Sequence, residues 1–103
     1  MTEKPLGGRM VRIYLTESSH QLQTILQLLH DQHKVRGVTA FRGISGFGQS
    51  GKLHSSTLLD ISLNLPVILE FFDSEDKIAQ IINELQSHLK PGHLVSWPVD
   101  ITF

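Results

Sequence analysis

The residues whose types and spacing most clearly suggest ligand binding lie in one glycine-rich stretch near the middle of the chain. Gly46, Gly48 and Gly51 spell G-x-G-x-x-G, and the run from Gly46 to Lys52 also spells G-x-x-x-x-G-K. Both patterns are typical of loops whose backbone N–H groups bind phosphate. The stretch is therefore a candidate anion site.

The residues that follow exclude the two best known versions of such a loop. A dinucleotide site needs a helix directly after the glycines, whereas this chain continues as LHSSTLL, which has no helical pattern. A Walker loop needs Ser or Thr after the lysine to hold magnesium, and here Leu53 follows. Two interpretations stay open: a nest of N–H groups that binds an anion with help from Arg42, Lys52 and His54, or a loop whose glycines only permit turns.

Histidine and serine offer weaker alternatives. His30 and His33 lie three residues apart on a predicted helix and could share a metal ion, but no third ligand follows at a fixed spacing. A hydrolase could be imagined from Ser55, His54 and Asp60, although adjacent residues of a strand point apart. We therefore expect no catalytic residues and no metal site, and we expect that the chain is not an enzyme.

Composition narrows the class of protein further. The chain has 103 residues, 9 basic and 10 acidic side chains and no cysteine, which fits one small domain without disulfides or thiolate chemistry. A formal charge of -1 argues against a nucleic-acid partner held by its phosphates. The apolar runs are too short to span a bilayer and the start lacks a signal peptide's apolar core, so we expect no membrane insertion and a cytoplasmic location.

Hydrophobic spacing predicts the elements that would position these residues. Residues 1–8 lack periodicity and are predicted to form a flexible tail, followed by a single domain over 9–103. Alternating apolar residues predict four strands, and spacings of three and four residues predict two helices. The helical stripes consist of Leu22, Ile25, Leu26 and Leu29, and then of Ile78, Ile81, Ile82, Leu85 and Leu89.

The resulting order is β-α-β-loop-β-α-β, with a long loop at about 45–56. Right-handed crossovers fold this order into an α+β, ferredoxin-like domain, in which a four-stranded antiparallel sheet carries both helices on one face. Pro98 cannot donate to a ladder, so the last strand should lie at a sheet edge or contain a bulge. Trp97 is in phase with four other apolar residues of that strand and is expected in the core.

The second face of this sheet is predicted to be apolar and uncovered. It would present Met10, Tyr14, Ile68 and Phe72, with Arg12 and Glu70 close together if the first and third strands are neighbours. A contiguous apolar patch usually marks an interface, so we expect a homo-oligomer that packs sheet against sheet. A free, weakly amphipathic face is the alternative.

Three blocks of the sequence resemble the PII-like family known as domain of unknown function 190. They are RIYLTES, FRGISGFG with KLHSS, and LNLPVILEFFDSEDKI, in that order, so the likeness extends from about Arg9 to the end of the chain. The resemblance implies a ferredoxin-like subunit of a homotrimer with adenine nucleotide in clefts between subunits. It further implies no required cofactor, and a loop between the second and third strands that docks on a transporter or an enzyme.

The matching block implies ligand contacts for Arg42, Gly43, Gly46 and Gly48. We add Lys52 and His54 from their charge and position. The expected function is that of a regulatory protein that binds a small anionic effector, probed best with adenine nucleotides. The alternative is a metal-responsive trimer similar to the copper-tolerance relatives of PII, using its histidines.

Two positions depart from the family pattern. Tyr14 is the only tyrosine and lies in the first predicted strand, so uridylylation of the loop is not expected. Lys34 stands where we would expect a glycine to end the first helix. A left-handed conformation there would cost a lysine about 1 kcal/mol.

Overall fold

The computed structural model describes residues 6–17, 19–47, 54–55 and 65–103, with the pair 54–55 described through its backbone alone. These ranges contain six strands and two α-helices. In chain order they are β1 (Leu6–Thr16), α1 (His20–Gln27), β2 (Gly37–Arg42), β3 (Ser45–Gly46), β4 (His54–Ser55), β5 (Pro66–Ser74), α2 (Glu75–Leu85) and β6 (Leu94–Ile101). No helix in the described part of the chain is long and apolar enough to cross a bilayer.

The four long strands form one antiparallel sheet in the order β2-β5-β1-β6. Strands β3 and β4 form a separate ladder of two residues each. The two helices cover one face of the large sheet, so the predicted α+β, ferredoxin-like architecture is confirmed. Pro98 lies on β6, which is an edge strand of the sheet, as predicted. Its missing N–H therefore removes no hydrogen bond from a central strand pair.

Element boundaries differ from the predicted ones at two places. Strand β1 begins at Leu6, because Leu6 pairs with Ile101 and Gly8 pairs with both Ser74 and Val99. Three residues assigned to the tail from sequence therefore belong to the sheet, and residues 1–5 lie outside the described residues. The glycine segment, defined as residues 45–56, contains β3 and β4 near its two ends; residues 48–53 and 56 lie outside the described residues.

Both helical stripes predicted from spacing lie against the sheet. Ile25 of α1 and Ile78, Ile81 and Leu85 of α2 are fully buried, and so is Leu29 in the π-helical turn that follows α1. They pack on the sheet residues Val11, Ile13, Leu15, Leu69 and Phe71. Burying a side chain of this size stabilises the fold by roughly 1.5–3 kcal/mol, so these few contacts supply much of the driving force for folding.

The prediction that Trp97 lies in the core is wrong. Trp97 is paired with Met10, and Val95 with Arg12, so both side chains share the sheet face that the helices leave open. Trp97 is 37% exposed there. Alternation along an edge strand separates the two faces correctly, but it does not say which face the helices cover.

The only polar side chain in the buried set of described residues is Asp73, at the end of β5. Its carboxylate accepts hydrogen bonds from the backbone N–H groups of Ser74 at 2.7 Å and Arg36 at 3.1 Å. Lys77 adds an ion pair at 3.2 Å. A buried carboxylate needs such partners, and these connect the start of α2 to the turn that enters β2.

The first helix ends in a π-helical turn, Leu28–Gln32, which Lys34 closes in the left-handed conformation. The φ angle of Lys34 is 48°, and Lys34 is the only non-glycine residue with positive φ in the described ranges. The turn is held by hydrogen bonds from the His33 N–H to the Leu28 carbonyl and from the Val35 N–H to the Leu29 carbonyl. Lys34 therefore carries the strain that its sequence position predicted.

Replacing Lys34 by glycine should raise the free energy of unfolding by about 1 kcal/mol, because glycine adopts positive φ without a steric penalty. Lys34→Ala is the matched control, since it removes the same side chain but keeps the Cβ atom. Urea unfolding of the three proteins measures the difference. Equal stabilisation by glycine and alanine would show that the lysine side chain, and not the backbone, carries the cost.

Candidate functional site

The start of the glycine segment is anchored where β1, β2 and β5 end or begin. Arg42 is the last residue of β2 and is paired with Val67 of β5. The ladder continues one residue further, because the Gly43 N–H donates to the Pro66 carbonyl at 2.7 Å. The segment therefore leaves the sheet from a fixed point and not from a frayed strand end.

The two described glycines of this region lie against the ring of Pro66. A Cβ atom added to Gly43 would lie 2.8 Å from the Pro66 Cγ, a separation that real Cβ atoms do not tolerate. At Gly46 the same atom would lie 3.4 Å from that carbon, which is ordinary contact. Gly43 is thus required by close packing, a structural reason that exists beside any role in ligand binding.

The guanidinium of Arg42 forms an ion pair with Glu17, which directly follows β1. The Arg42 side chain is 63% exposed, whereas that of Glu17 is only 15% exposed. The Glu17 backbone N–H donates to the Leu65 carbonyl at 2.7 Å, which fixes the position of the residue. The Arg42 side chain is therefore largely exposed to solvent, while the mostly shielded side chain of Glu17 holds its guanidinium in place.

The structure brings together some of the predicted ligand residues and leaves others outside its description. Arg42 and Gly43 adjoin each other at Pro66, and Gly46 pairs with His54 in the ladder of β3 and β4. Gly48 and Lys52 lie outside the described residues. The ligand contacts assigned to all six positions remain predictions.

Sequence reasoning missed Glu17 and Pro66 as parts of this region. No sequence motif singles out Glu17, which follows the first strand and belongs to neither the glycine segment nor a helical stripe. The sheet order contains the signal: Thr16 is paired with Pro66, and Arg42 with Val67 of the same strand. Once β5 is placed between β1 and β2, Glu17 and Arg42 must meet across its start.

The open face of the sheet is apolar around a central ion pair. Arg12 donates to the Glu70 carboxylate at 2.6 Å and lies 5.4 Å from the centre of the Trp97 ring. The hydrogen bond to Glu70, and then that to Tyr14, raise the pKa of Arg12 above its usual value. The predicted proximity of Arg12 and Glu70 is confirmed. Large apolar side chains exposed on this face are Tyr14, Phe41, Val95 and Trp97.

The two histidines considered for a metal site are separately engaged. His33 is 2.7 Å from the Glu84 carboxylate on α2, and His30 is 2.7 Å from the Asp31 carboxylate. No group of three or more His, Asp or Glu side chains with metal-binding geometry occurs in the ranges that the structure describes. The contact between His33 and Glu84 links the end of the first helix to the second helix.

Several solved structures share the fold of this chain, among them a PII-like protein and a divalent ion tolerance protein. One is CPII, a nitrogen regulatory PII-like protein from Thiomonas intermedia K12, in a structure bound to ADP and bicarbonate. It superposes with a TM-score of 0.68 and 20% sequence identity, over 97% of this chain and 91% of CPII. The other is the divalent ion tolerance protein CutA1 from Ehrlichia chaffeensis, with a TM-score of 0.60 and 13% identity, over 99% of this chain and 86% of CutA1.

Sequence comparison identifies the family. A UPF0166 protein from Aquifex aeolicus is 29% identical over 82 residues, which are 76% of this chain and 78% of that protein. The model of the DUF190 family, described as an uncharacterized ACR, matches residues 8–101. The resemblance to this family seen in the sequence is thereby confirmed, and the chain belongs to the DUF190 family.

Proposed function

We propose that this chain is the subunit of a non-enzymatic, PII-like regulatory homotrimer that binds an adenine nucleotide in a cleft between subunits. The glycine segment would then signal the bound state to a partner transporter or enzyme. The observation that carries the proposal is Arg42: a largely exposed guanidinium, fixed at the base of the glycine segment, on a sheet whose second face is apolar and open.

The guanidinium of Arg42, at the start of the glycine segment, suits the binding of a phosphate group. A guanidinium presents donors in a planar fork that matches phosphate oxygens, and a charge-assisted bond of this kind is stronger than a neutral one. The likeness to CPII, whose structure contains ADP and bicarbonate, supports an adenine nucleotide as the first ligand to test.

The position of Arg42 on an edge strand suits a binding cleft in which one wall comes from this subunit and the second wall from a neighbouring subunit. Strand β2 is paired with β5 along one side and is an edge of the large sheet along the other. Phe41, the neighbour of Arg42, is 49% exposed on the open face. Arg42 is paired with the buried Val67 and so lies on the opposite side of the sheet from Phe41. A neighbouring subunit that packs its open face on Phe41 and extends past the β2 edge would supply the second wall beside Arg42.

Calorimetric titration with ADP, ATP, AMP and cyclic nucleotides should detect binding, and Arg42→Gln should weaken it by roughly ten- to a hundredfold, the value of a hydrogen bond to a charged group. Arg36→Gln is the matched control, because Arg36 precedes the opposite end of β2. Absence of heat and of thermal stabilisation at millimolar nucleotide would contradict the proposal.

Trp97→Glu should dissociate the proposed trimer, because it removes the largest apolar side chain of the open face and would place a carboxylate in the interface, where it loses its hydration. Gln23→Glu adds the same charge on the exposed side of α1 and should leave the assembly intact. Sedimentation equilibrium measures both, with the wild-type chain expected at three times 11.6 kDa. A wild-type protein that sediments as a single chain would contradict the trimer.

A metal-responsive trimer is the second candidate, supported by the likeness to CutA1. His30, which is 89% exposed, is accessible to an ion. If this candidate is correct, titration with zinc or copper should give saturable binding that His30→Ala and His33→Ala abolish. Nucleotide binding that is unaffected by those substitutions would favour the first candidate.

A further inference from the structure

Glu17 is buried against the cation on which the proposed nucleotide site depends. One carboxylate oxygen, Oε1, contacts Nη2 of Arg42. The other, Oε2, is shielded from solvent and has no hydrogen-bond partner within the described ranges. Arg42 is the only cationic side chain that the described part of the chain brings within ion-pair distance of Glu17.

This arrangement is asymmetric. The Glu17 side chain is 15% exposed, so its carboxylate has lost much of its hydration and depends on its partner, whereas the Arg42 side chain is 63% exposed and depends less on an ion pair. An anion that binds Arg42 would withdraw donors from Glu17 and leave a buried negative charge less compensated. Effector binding therefore carries a cost that the geometry of Glu17 determines.

We infer that Glu17 is an internal competitor of the anionic effector for Arg42, and thereby a residue that sets effector affinity. The inference rests on the proposed nucleotide site. When only a fraction of the molecules has Arg42 free, the apparent dissociation constant rises in inverse proportion to that fraction. Glu17 would keep the site empty at low effector concentration and let it fill only when the concentration rises.

Competition differs from simple repulsion between Glu17 and the ligand. Repulsion would weaken binding whether or not Arg42 is present. Competition acts through the guanidinium, so it disappears when Arg42 is replaced. A double-mutant cycle on these two residues separates the mechanisms.

The experiment is calorimetric titration of ADP into wild type, Glu17→Gln, Arg42→Gln and the double variant. Glu17→Gln should bind ADP at least about fivefold more tightly than wild type, a modest coupling between two contacting groups. In the Arg42→Gln background the same change should have no effect. Glu75→Gln is the matched control, because Glu75 is also paired with an arginine, Arg9, at a distance of 3.9 Å, and should leave the affinity unchanged.

Three outcomes would overturn the inference. Equal ADP affinity of wild type and Glu17→Gln would contradict the competition but would not contradict the nucleotide site. Equal tightening with and without Arg42 would assign the effect to repulsion. No ADP binding by any variant would remove the proposed function together with the inference. Should Glu17→Gln fail to fold, Glu17→Asp serves instead, because it withdraws the carboxylate from Arg42 by one methylene and should tighten binding in the same direction.

Discussion

A four-stranded sheet has two faces, and the two helices of this chain cover one of them. The uncovered face presents Tyr14, Phe41 and Trp97 around the ion pair of Arg12 and Glu70. Apolar area of this kind remains in water only at a free-energy cost, which association of sheets would remove. The ion pair would then fall in the interior of an assembly, where its fixed geometry can select one packing arrangement over others. Every part of the proposed function depends on that association, because the walls of the cleft would come from different subunits.

The start of the glycine segment is held in a fixed position by close packing and by an ion pair. Gly43 packs so closely on Pro66 that the segment must leave β2 at one point, and Arg42 is held there by a buried carboxylate. Rigid support of this kind limits the conformational entropy that a ligand must overcome when it binds. We infer that this support also competes with an anionic ligand for the guanidinium, so that the residue which positions Arg42 lowers its availability to the ligand.

The strands, the helices and the core could be predicted from the sequence. The apolar stripes that include Ile25 and Ile78 and the alternation from Val11 to Leu15 are strong, local signals. They were sufficient for the contact between Arg12 and Glu70 as soon as β1 and β5 were taken as neighbours. They failed for Trp97, because alternation does not say which face of an edge strand is covered. Glu17 was missed since its partner is 25 positions away and meets it only across the start of a third strand.

The most direct measurement is quenching of the fluorescence of Trp97, the single tryptophan of the chain, by acrylamide over a range of protein concentrations. If the open sheet face is buried between copies, the indole will be protected at micromolar protein and will become more accessible on dilution below the dissociation constant of the assembly. An indole that is partly accessible to the same degree at every concentration, as its 37% exposure in the single chain requires, would mean that this face stays in water. The shared cleft would then have no second wall.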